Sequence, residues 1–146
     1  MKYYVVIDTN VLVSAALKGN SNPGLILRMV DEGIILPLIN KQIISEYVNV
    51  LKRPKFHFND DLIDSIIEMI KKNAINIDEE RLDIFLPDEK DRVFYEVVIK
   101  SNQERKSKLV TGNIKHFPIA HFIVTPKELC DLILADLGNI NITLEG

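Results

Sequence analysis

The amino-acid sequence predicts an α/β fold built on a mainly parallel sheet. Short apolar runs of strand length alternate along the chain with segments whose apolar residues recur at helical spacing. The first run, Tyr3–Ile7, is almost wholly apolar, as expected for a strand covered on both faces. The 146 residues contain no internal repeat and no linker rich in proline, glycine or serine, so we expect one domain over residues 1–146.

The next two helices are indicated by their ends. A helix is expected over Thr9–Leu17, directly after the first strand, with Gly19 as its stop. A second helix opens at Asn22-Pro23, because asparagine caps helices well and proline is tolerated at the first helical position. We expect this helix to end near Gly33, since glycine commonly follows a helix C-terminus.

The middle of the chain predicts one strand and two amphipathic helices. The strand is Ile34–Ile39, although Pro37 weakens or bends it because proline cannot donate a ladder hydrogen bond. The helix Lys41–Leu51 places its apolar residues on one face, and the helix Asn59–Lys72 repeats that pattern. Asn59 is the expected cap of the second of these helices.

The C-terminal part predicts three short strands and two helices. Before the last helix come a strand at Ala74–Ile77, a helix from Asp88 to about Ser101, and strands at Lys108–Thr111 and Phe122–Val124. The last helix opens at Thr125 with a capping box to Glu128 and is predicted to end at Gly138. The tail Ile140–Leu144 alternates apolar and polar residues, which predicts an edge strand or a partner-binding strand.

Composition and charge exclude several classes of protein. Hydrophobic residues make up 47% of the chain and charged residues 27%, which argues against disorder. The net charge of −3 argues against coating nucleic acid through bulk charge, and the single cysteine, Cys130, excludes an internal disulfide framework. The opening apolar run is too short for a signal peptide, and no run reaches the ~18 residues of a membrane span. We therefore expect a cytoplasmic protein without membrane contact.

Two strands of the predicted sheet end in small polar or acidic residues. Asp8, Thr9 and Asn10 follow the first strand, and Thr111 and Asn113 lie at the end of the strand at 108–111. Because ligands bind outside the carboxyl ends of strands in open α/β sheets, these residues lie where a site is expected. For Asp8 two interpretations stay open: a catalytic carboxylate, or simply a cap of the helix that follows.

Two further acidic segments favour a catalytic cleft. Glu46 borders the apolar face of its helix, although a half-exposed surface glutamate would give the same pattern. Asp88 and Asp91 are three residues apart at the start of a helix and can project from one side. Capping alone explains Asp88, whereas the helix dipole explains Asp91 less well.

Together these acidic residues predict a cation site. Carboxylates gathered in one cleft raise one another's pKa, and a divalent cation removes that penalty. Mg²⁺ takes oxygen ligands, keeps several waters and is usually held by one or two carboxylates plus substrate phosphates. Asp8, Glu46 and Asp91 therefore predict phosphodiester hydrolysis by a water that the ion activates. The sequence has no nucleophile elbow, Walker loop or dinucleotide-binding glycine motif to favour another reaction.

Four blocks of the sequence carry a family resemblance. They are Val5–Ser14, Ile44–Tyr47, Asp88–Phe94 and Leu109–Asn113. In this order and spacing they resemble the PIN domain family of metal-dependent ribonucleases, and the resemblance covers nearly the whole chain. The resemblance implies a three-layer α/β/α sandwich around a mainly parallel sheet of four or five strands. It also implies Mg²⁺ or Mn²⁺ at the acidic cleft, endonucleolytic cleavage of RNA, and a toxin of a toxin–antitoxin pair that has a small antitoxin partner and forms a homodimer.

The resemblance also suggests roles for individual residues. Asp8, Glu46 and Asp91 are the expected metal ligands. A second group is expected to orient a water or phosphate or to organise the loop: Thr9, Asn10, Ser14, Asp88, Thr111 and Asn113. The position of Asn113 is often an aspartate in the family, so one charge is missing here. We therefore expect one tightly held ion rather than two in the absence of RNA.

Basic residues near the predicted cleft are the expected RNA contacts, since lysine and arginine hold phosphates in a salt-dependent way. They are Lys52, Arg53, Lys108, Lys115 and His116. For any single lysine, a solvated surface position explains the sequence as well as an RNA contact does.

Two alternatives stay open from the sequence. A catalytically weak PIN-fold module that binds RNA or a protein is favoured by Asn113. A phosphotransfer or phosphoacceptor protein could also use an aspartate after its first strand, but one such phosphatase class needs a second aspartate where this chain has Asn10.

Overall fold

A computed structural model of the chain describes residues 2–78, 82 and 84–145, with side chains as far as residue 138. The strands are β1 (Tyr3–Ile7), β2 (Ile35–Ile39), β3 (Ile75–Asn76), β4 (Ser107–Val110) and β5 (Ile123–Val124). The helices are α1 (Thr9–Leu17), α2 (Asn22–Asp31), α3 (Lys41–Leu51), α4 (Asp60–Lys72), α5 (Arg92–Asn102) and α6 (Pro126–Glu145). Short 3₁₀ turns occupy Pro54–Phe56, Glu89–Asp91 and Ile114–His116. None of the helices in these ranges is long and apolar enough to span a bilayer.

The five strands form one parallel sheet in the order β3-β2-β1-β4-β5. The central strand β1 pairs with β2 on one side and β4 on the other, with Val5 in register with both Pro37 and Lys108. Val5, Val6 and Ile7 are fully buried, as the apolar run predicted. Helices cover the sheet in a three-layer α/β/α arrangement, which confirms the predicted fold class. The strand order reverses at β1, so the carboxyl ends of β1 and β4 flank the crevice where such sheets bind ligands.

Pro37 lies inside β2, where the sequence predicted a weakened strand. The Ile34 carbonyl accepts from Tyr3 of β1, whereas the Ile39 carbonyl accepts from Ile77, beyond the end of β3. The backbone N–H and C=O groups of odd-numbered residues in β2 therefore point toward β3, and Pro37 is one of these residues. Since β3 begins to pair only at Leu38, the missing N–H of Pro37 falls where no ladder bond is needed.

Helix starts agree with the sequence except at α2 and α5. The cap of α2 is Ser21, whose hydroxyl accepts from the Gly24 N–H at 3.1 Å, and Asn22 lies within the first turn. The helix predicted from Asp88 begins with the 3₁₀ turn, so Asp91 is the residue that immediately precedes α5. Asn59 caps α4 as predicted, and its side-chain oxygen accepts from Leu62 at 2.8 Å.

The prediction for the C-terminal tail was wrong. Helix α6 passes through Gly138 and continues to Glu145, so residues 140–144 are helical and form neither an edge strand nor a partner-binding strand. A glycine within a helix costs only about 1 kcal/mol relative to alanine, which does not stop a helix of this length. Two of the three apolar residues of the tail, Ile140 and Leu144, also fit helical spacing, since they follow Leu137 at intervals of three and four residues.

Candidate active site

An acidic cleft of about 500 Å³ opens beyond the carboxyl ends of β1 and β4. The three predicted metal ligands line it together with most of the second predicted group: Asp8, Glu46, Asp91, Thr9, Asn10, Ser14, Asp88 and Asn113. Thr111 is fully buried and contacts the cleft through Asp8. Residues that are far apart in the sequence are therefore brought to one opening by the sheet.

Asp8 is fixed by the pairing of β1 with β4. Its backbone N–H donates to the Val110 carbonyl at 3.0 Å, which holds the two strand ends together. The side chain makes no capping hydrogen bond to α1. Instead its Oδ2 atom accepts from the Thr111 hydroxyl at 2.8 Å and from the Asn10 side-chain amide at 3.3 Å. The carboxylate is thus held at the floor of the cleft, where only 6% of the residue is exposed.

A short hydrogen-bond network joins the loops after β1 and β4. The Thr111 hydroxyl donates to Asp8 and accepts from the Asn113 N–H at 2.9 Å. The Asn10 side-chain oxygen accepts from the Gly112 N–H at 3.2 Å. Since both loops are tied to Asp8, its carboxylate has little freedom to rotate. Asn113 is exposed, and its side chain does not cap the turn that follows.

Helix α3 places Glu46 at the side of the cleft. Asn40 caps this helix by accepting from the Ile43 N–H at 2.9 Å. The next residue after Glu46, Tyr47, is fully buried and donates from its hydroxyl to the Ile7 carbonyl at 2.5 Å. This bond anchors α3 against β1 beside Asp8. Tyr47 belongs to the apolar face predicted for this helix, and a hydroxyl within that otherwise aliphatic stripe was the signal in the sequence that this residue makes a polar contact.

Asp88 and Asp91 come from the 3₁₀ turn before α5. Asp88 is exposed and caps the turn, accepting from the Lys90 N–H at 3.0 Å. The Asp91 side chain is only 13% exposed, and its Oδ2 atom lies 3.4 Å from His116 Nδ1. This Oδ2 atom is buried and accepts no hydrogen bond from the described residues. An unsatisfied buried carboxylate oxygen is costly, so its place in a cleft needs a partner.

Arg92 holds the loop that leads into this turn. Its guanidinium donates to the carbonyls of Leu82 and Ile84 and forms an ion pair with Glu89. The buried Glu96 carboxylate accepts from the Leu82 N–H at 2.7 Å. Sequence reasoning did not identify Arg92 or Glu96, because their partners are backbone groups of a loop without a recognisable pattern.

The carboxylates of the cleft disfavour one another's ionisation. Burial raises the pKa of Asp8, the charge of Glu46 adds to the rise, and the Thr111 hydrogen bond opposes it. The pKa of Asp91 is raised to about 6, chiefly by burial and then by the charges of Asp8 and Asp88, against the opposing effect of His116. Negative charge is therefore concentrated here without full compensation by the protein.

Residues 4–115 match the family model described as the PIN domain. The chain belongs to the PIN domain family. The matched stretch includes Asp8, Glu46, Asp91 and Asn113, so it contains all four sequence blocks on which the resemblance rested.

A solved structure shares the fold of this PIN domain. One chain of the crystal structure of VapBC2 from Rickettsia felis bound to a DNA fragment from their promoter superimposes with a TM-score of 0.54. The identity is 19%, and the match covers 83% of this chain and 96% of the other. No curated protein matches the sequence of this PIN domain.

The predicted RNA contacts are divided among different surfaces of the PIN domain. Arg53 and His116 line the acidic cleft, and so does Lys90, which the sequence analysis did not select. Lys115 lines an adjoining cavity. Lys108 lies at the amino end of the sheet, in a cavity shared with Lys2 and Lys106. The remaining predicted contact, Lys52, is the exposed residue that caps α3 at its C-terminus.

The cleft of the PIN domain fits a hard divalent ion that is only partly enclosed by protein. The described residues contain no group of three or more His, Cys, Asp or Glu side chains that is already arranged to coordinate a metal ion. The donors that face the cleft are nevertheless carboxylate oxygens, and one of them, Asp91 Oδ2, is buried without a hydrogen bond from the described part of the chain. A few carboxylates completed by waters and substrate phosphates are the usual surroundings of Mg²⁺.

Proposed function

We propose that this chain is a metal-dependent endoribonuclease that cleaves RNA phosphodiester bonds and acts as the toxin of a toxin–antitoxin pair. The observation that carries the proposal is the buried Asp91 oxygen without a hydrogen-bond donor, in the cleft that Asp8 and Glu46 share. The PIN family match supports the same reaction class. A cation would both satisfy this oxygen and offset the repulsion among the carboxylates.

The residues of the cleft have different proposed roles in such a reaction. Asp8, Glu46 and Asp91 would hold Mg²⁺ or Mn²⁺, directly or through water. When bound, the ion would lower the pKa of a water and stabilise the leaving oxygen. Thr111 fixes the rotamer of Asp8 through its 2.8 Å hydrogen bond. Asn113, exposed at the rim, can donate or accept a hydrogen bond to the scissile phosphate or to a water.

Basic side chains around the acidic floor are the proposed phosphate contacts. Arg53, Lys90 and His116 line the same cleft as the carboxylates. They would attract the RNA backbone, whereas the carboxylates without an ion would repel it. RNA binding is therefore expected to depend on the divalent ion, and to weaken as salt concentration rises.

The toxin role is supported by the fold neighbour, VapBC2 of Rickettsia felis bound to a DNA fragment from their promoter. By analogy, the proposed partner of this chain is a small antitoxin protein that covers the acidic cleft, and the proposed assembly contains a homodimer. A cytoplasmic location belongs to the same proposal, because the proposed RNA substrate is found there.

The test is cleavage of a labelled RNA pool by purified protein in Mg²⁺, in Mn²⁺ and in excess EDTA. We expect cleavage with either ion and none with EDTA. We also expect expression to arrest growth unless a neighbouring gene that encodes a small protein, the proposed antitoxin, is also expressed. Cleavage that persists in EDTA would contradict the metal dependence. Growth arrest that the neighbouring gene does not relieve would contradict the toxin assignment while leaving the nuclease intact.

A second candidate function is RNA or protein binding with weak catalysis. It is favoured by Asn113 at a position that is often acidic in the family, and by the lack of a ready ligand group in the described residues. This candidate predicts RNA binding that is measurable by fluorescence anisotropy while the same RNA stays intact in Mg²⁺ and Mn²⁺. Metal-dependent cleavage abolished by Asp91→Asn would exclude it.

A further inference from the structure

A second cavity adjoins the acidic cleft on the β4 side. It measures about 420 Å³ and is lined by Gly112, Asn113, Ile114, Lys115, His116 and Thr125. Asn113 and His116 line both openings, so the two cavities share a wall. A chain-like ligand in the cleft can therefore continue into the second cavity by crossing these two residues.

The two cavities have opposite charge. Four carboxylates line the acidic cleft, whereas the ionisable residues that line the second cavity are Lys115 and His116. Lys115 is exposed, and none of the ion pairs among the described residues involves it. An anion is therefore favoured in the second cavity without the help of a divalent ion.

The fold holds the backbone of Lys115 in place. The 3₁₀ turn Ile114–His116 is closed by bonds from His116 N–H to Asn113 and from Phe117 N–H to Ile114. Phe117 is buried and stacks on Tyr95 with ring centroids 6.4 Å apart, which anchors the end of the turn in the core. Lys115 thus projects from a fixed position, and only its side chain has to be ordered when a ligand binds.

Thr125 supplies a neutral donor across the same cavity. Its Oγ1 atom accepts from the Glu128 N–H at 3.1 Å in the capping box of α6. The hydroxyl proton is not used by that bond and can be donated to an oxygen of a ligand. A cation and a hydroxyl that face one small cavity match a singly charged phosphodiester group.

We propose that the Lys115 cavity binds the RNA phosphate next to the one that is cut, so that a single strand crosses from the acidic cleft over Asn113 to Lys115. The inference rests on the proposed function, since it assigns a subsite to the same substrate. Lys115 acts by charge on the backbone, independently of base identity, and takes no part in bond cleavage.

The test compares Lys115→Gln with wild type on two substrates, a twelve-residue oligouridylate and the dinucleotide UpU, which has a single phosphate. We expect KM for the oligouridylate to rise about three- to tenfold with kcat little changed, and KM for UpU to stay the same. Lys106→Gln is the matched control, because Lys106 is an exposed lysine that lines the amino-end cavity instead. Lys115→Arg should keep the wild-type KM, since it keeps the charge.

A binding measurement covers the case in which UpU is cut too slowly to follow. In an Asp8→Asn background, the affinity for the oligouridylate should decrease with salt. Replacing Lys115 by Gln should make the slope of log affinity against log salt less steep by about 0.7. An unchanged slope and KM, or an equal loss on both substrates, overturns the subsite and leaves the nuclease assignment in place. If wild type cleaves neither these substrates nor the labelled RNA pool with any divalent ion, the proposed function fails and the subsite fails with it.

Discussion

The two ends of the parallel sheet differ in how their charges are compensated. At the carboxyl end, Asp8 and Asp91 face a cleft in which one Asp91 oxygen has no hydrogen-bond donor among the described residues. At the amino end, about 17 Å away along β1, Asp136 accepts from the Tyr3 hydroxyl at 2.6 Å. Both ends contain acids and bases, but at the carboxyl end the buried Asp91 Oδ2 atom accepts no hydrogen bond from the described residues and lies 3.4 Å from His116 Nδ1. A buried carboxylate oxygen without a hydrogen bond, more than the presence of acidic residues, therefore distinguishes the carboxyl end.

Replacing one carboxylate at each end tests this contrast most strongly. Asp8→Asn should lower RNA cleavage about 10²–10³-fold, because it would remove a proposed ligand of an ion that would supply several kcal/mol to the transition state. Asp136→Asn should leave cleavage unchanged, since an amide oxygen can still accept from Tyr3. The measurement is initial rate on labelled RNA in Mg²⁺, with circular dichroism to check the fold. Equal losses in the two variants would remove the distinction between the ends.

Two tyrosine hydroxyls, one at each end, provide a comparison of stability. Tyr47→Phe should lower the free energy of unfolding by about 1–3 kcal/mol, because it leaves the buried Ile7 carbonyl without its donor. Tyr3→Phe should cost about 0.5–1.5 kcal/mol, since Asp136 is only half-buried and water can replace the hydroxyl. Urea denaturation measures both. A larger loss for Tyr3→Phe would mean that the amino end is the more rigidly constrained of the two.

Magnesium should stabilise the protein through the carboxyl end in a pH-dependent way. At ten times its Kd, the ion should add about 1.4 kcal/mol to the free energy of unfolding at pH 8. The pKa of Asp91 is about 6, so acidification below this value protonates the ligand and the stabilisation should fade. Thermal melts with and without Mg²⁺ between pH 5 and pH 8 measure the effect. A Mg²⁺-dependent shift of equal size at pH 5 would place the ion away from Asp91.

Asp91→Asn is expected to change activity and stability in opposite directions. The pKa of Asp91 in the folded state lies above its ordinary value, so its contribution to stability is full at low pH and lost as pH rises through about 6. At pH 8 without metal, removing the charge should therefore raise Tm slightly, by about 2 °C. Cleavage should fall in the same variant. A lower Tm in EDTA at pH 8 would show that the carboxylate is already compensated by the protein.

Local signals in the sequence were sufficient for most of the fold. The strand β1 and the helices α1 and α3 were predicted at the residues where they occur, because burial on both faces, caps and apolar stripes are properties of neighbouring residues. The end of α6 was missed, because Gly138 is a common stop signal but also a tolerable interior residue.

The candidate site depended on distances that a sequence does not contain. Asp8 and Thr111 are 103 positions apart, yet their side chains lie within 2.8 Å of each other. Lys108 is close to Thr111 in sequence but not in space. Three residues of extended strand separate the two by about 10 Å, and Lys108 lines the amino-end cavity. The acidic residues that the family resemblance selected line one cleft, whereas this lysine, selected as part of a basic cluster near that cleft, lies at the other end of the sheet.

The strands at the two borders of the sheet, β3 and β5, are each only two residues long. A longer exposed border would offer a row of free peptide groups to a neighbouring chain, with the risk of uncontrolled aggregation. Such short border strands offer few free peptide groups with which a strand of a second molecule could pair. Self-association by extension of the sheet is therefore disfavoured at both borders.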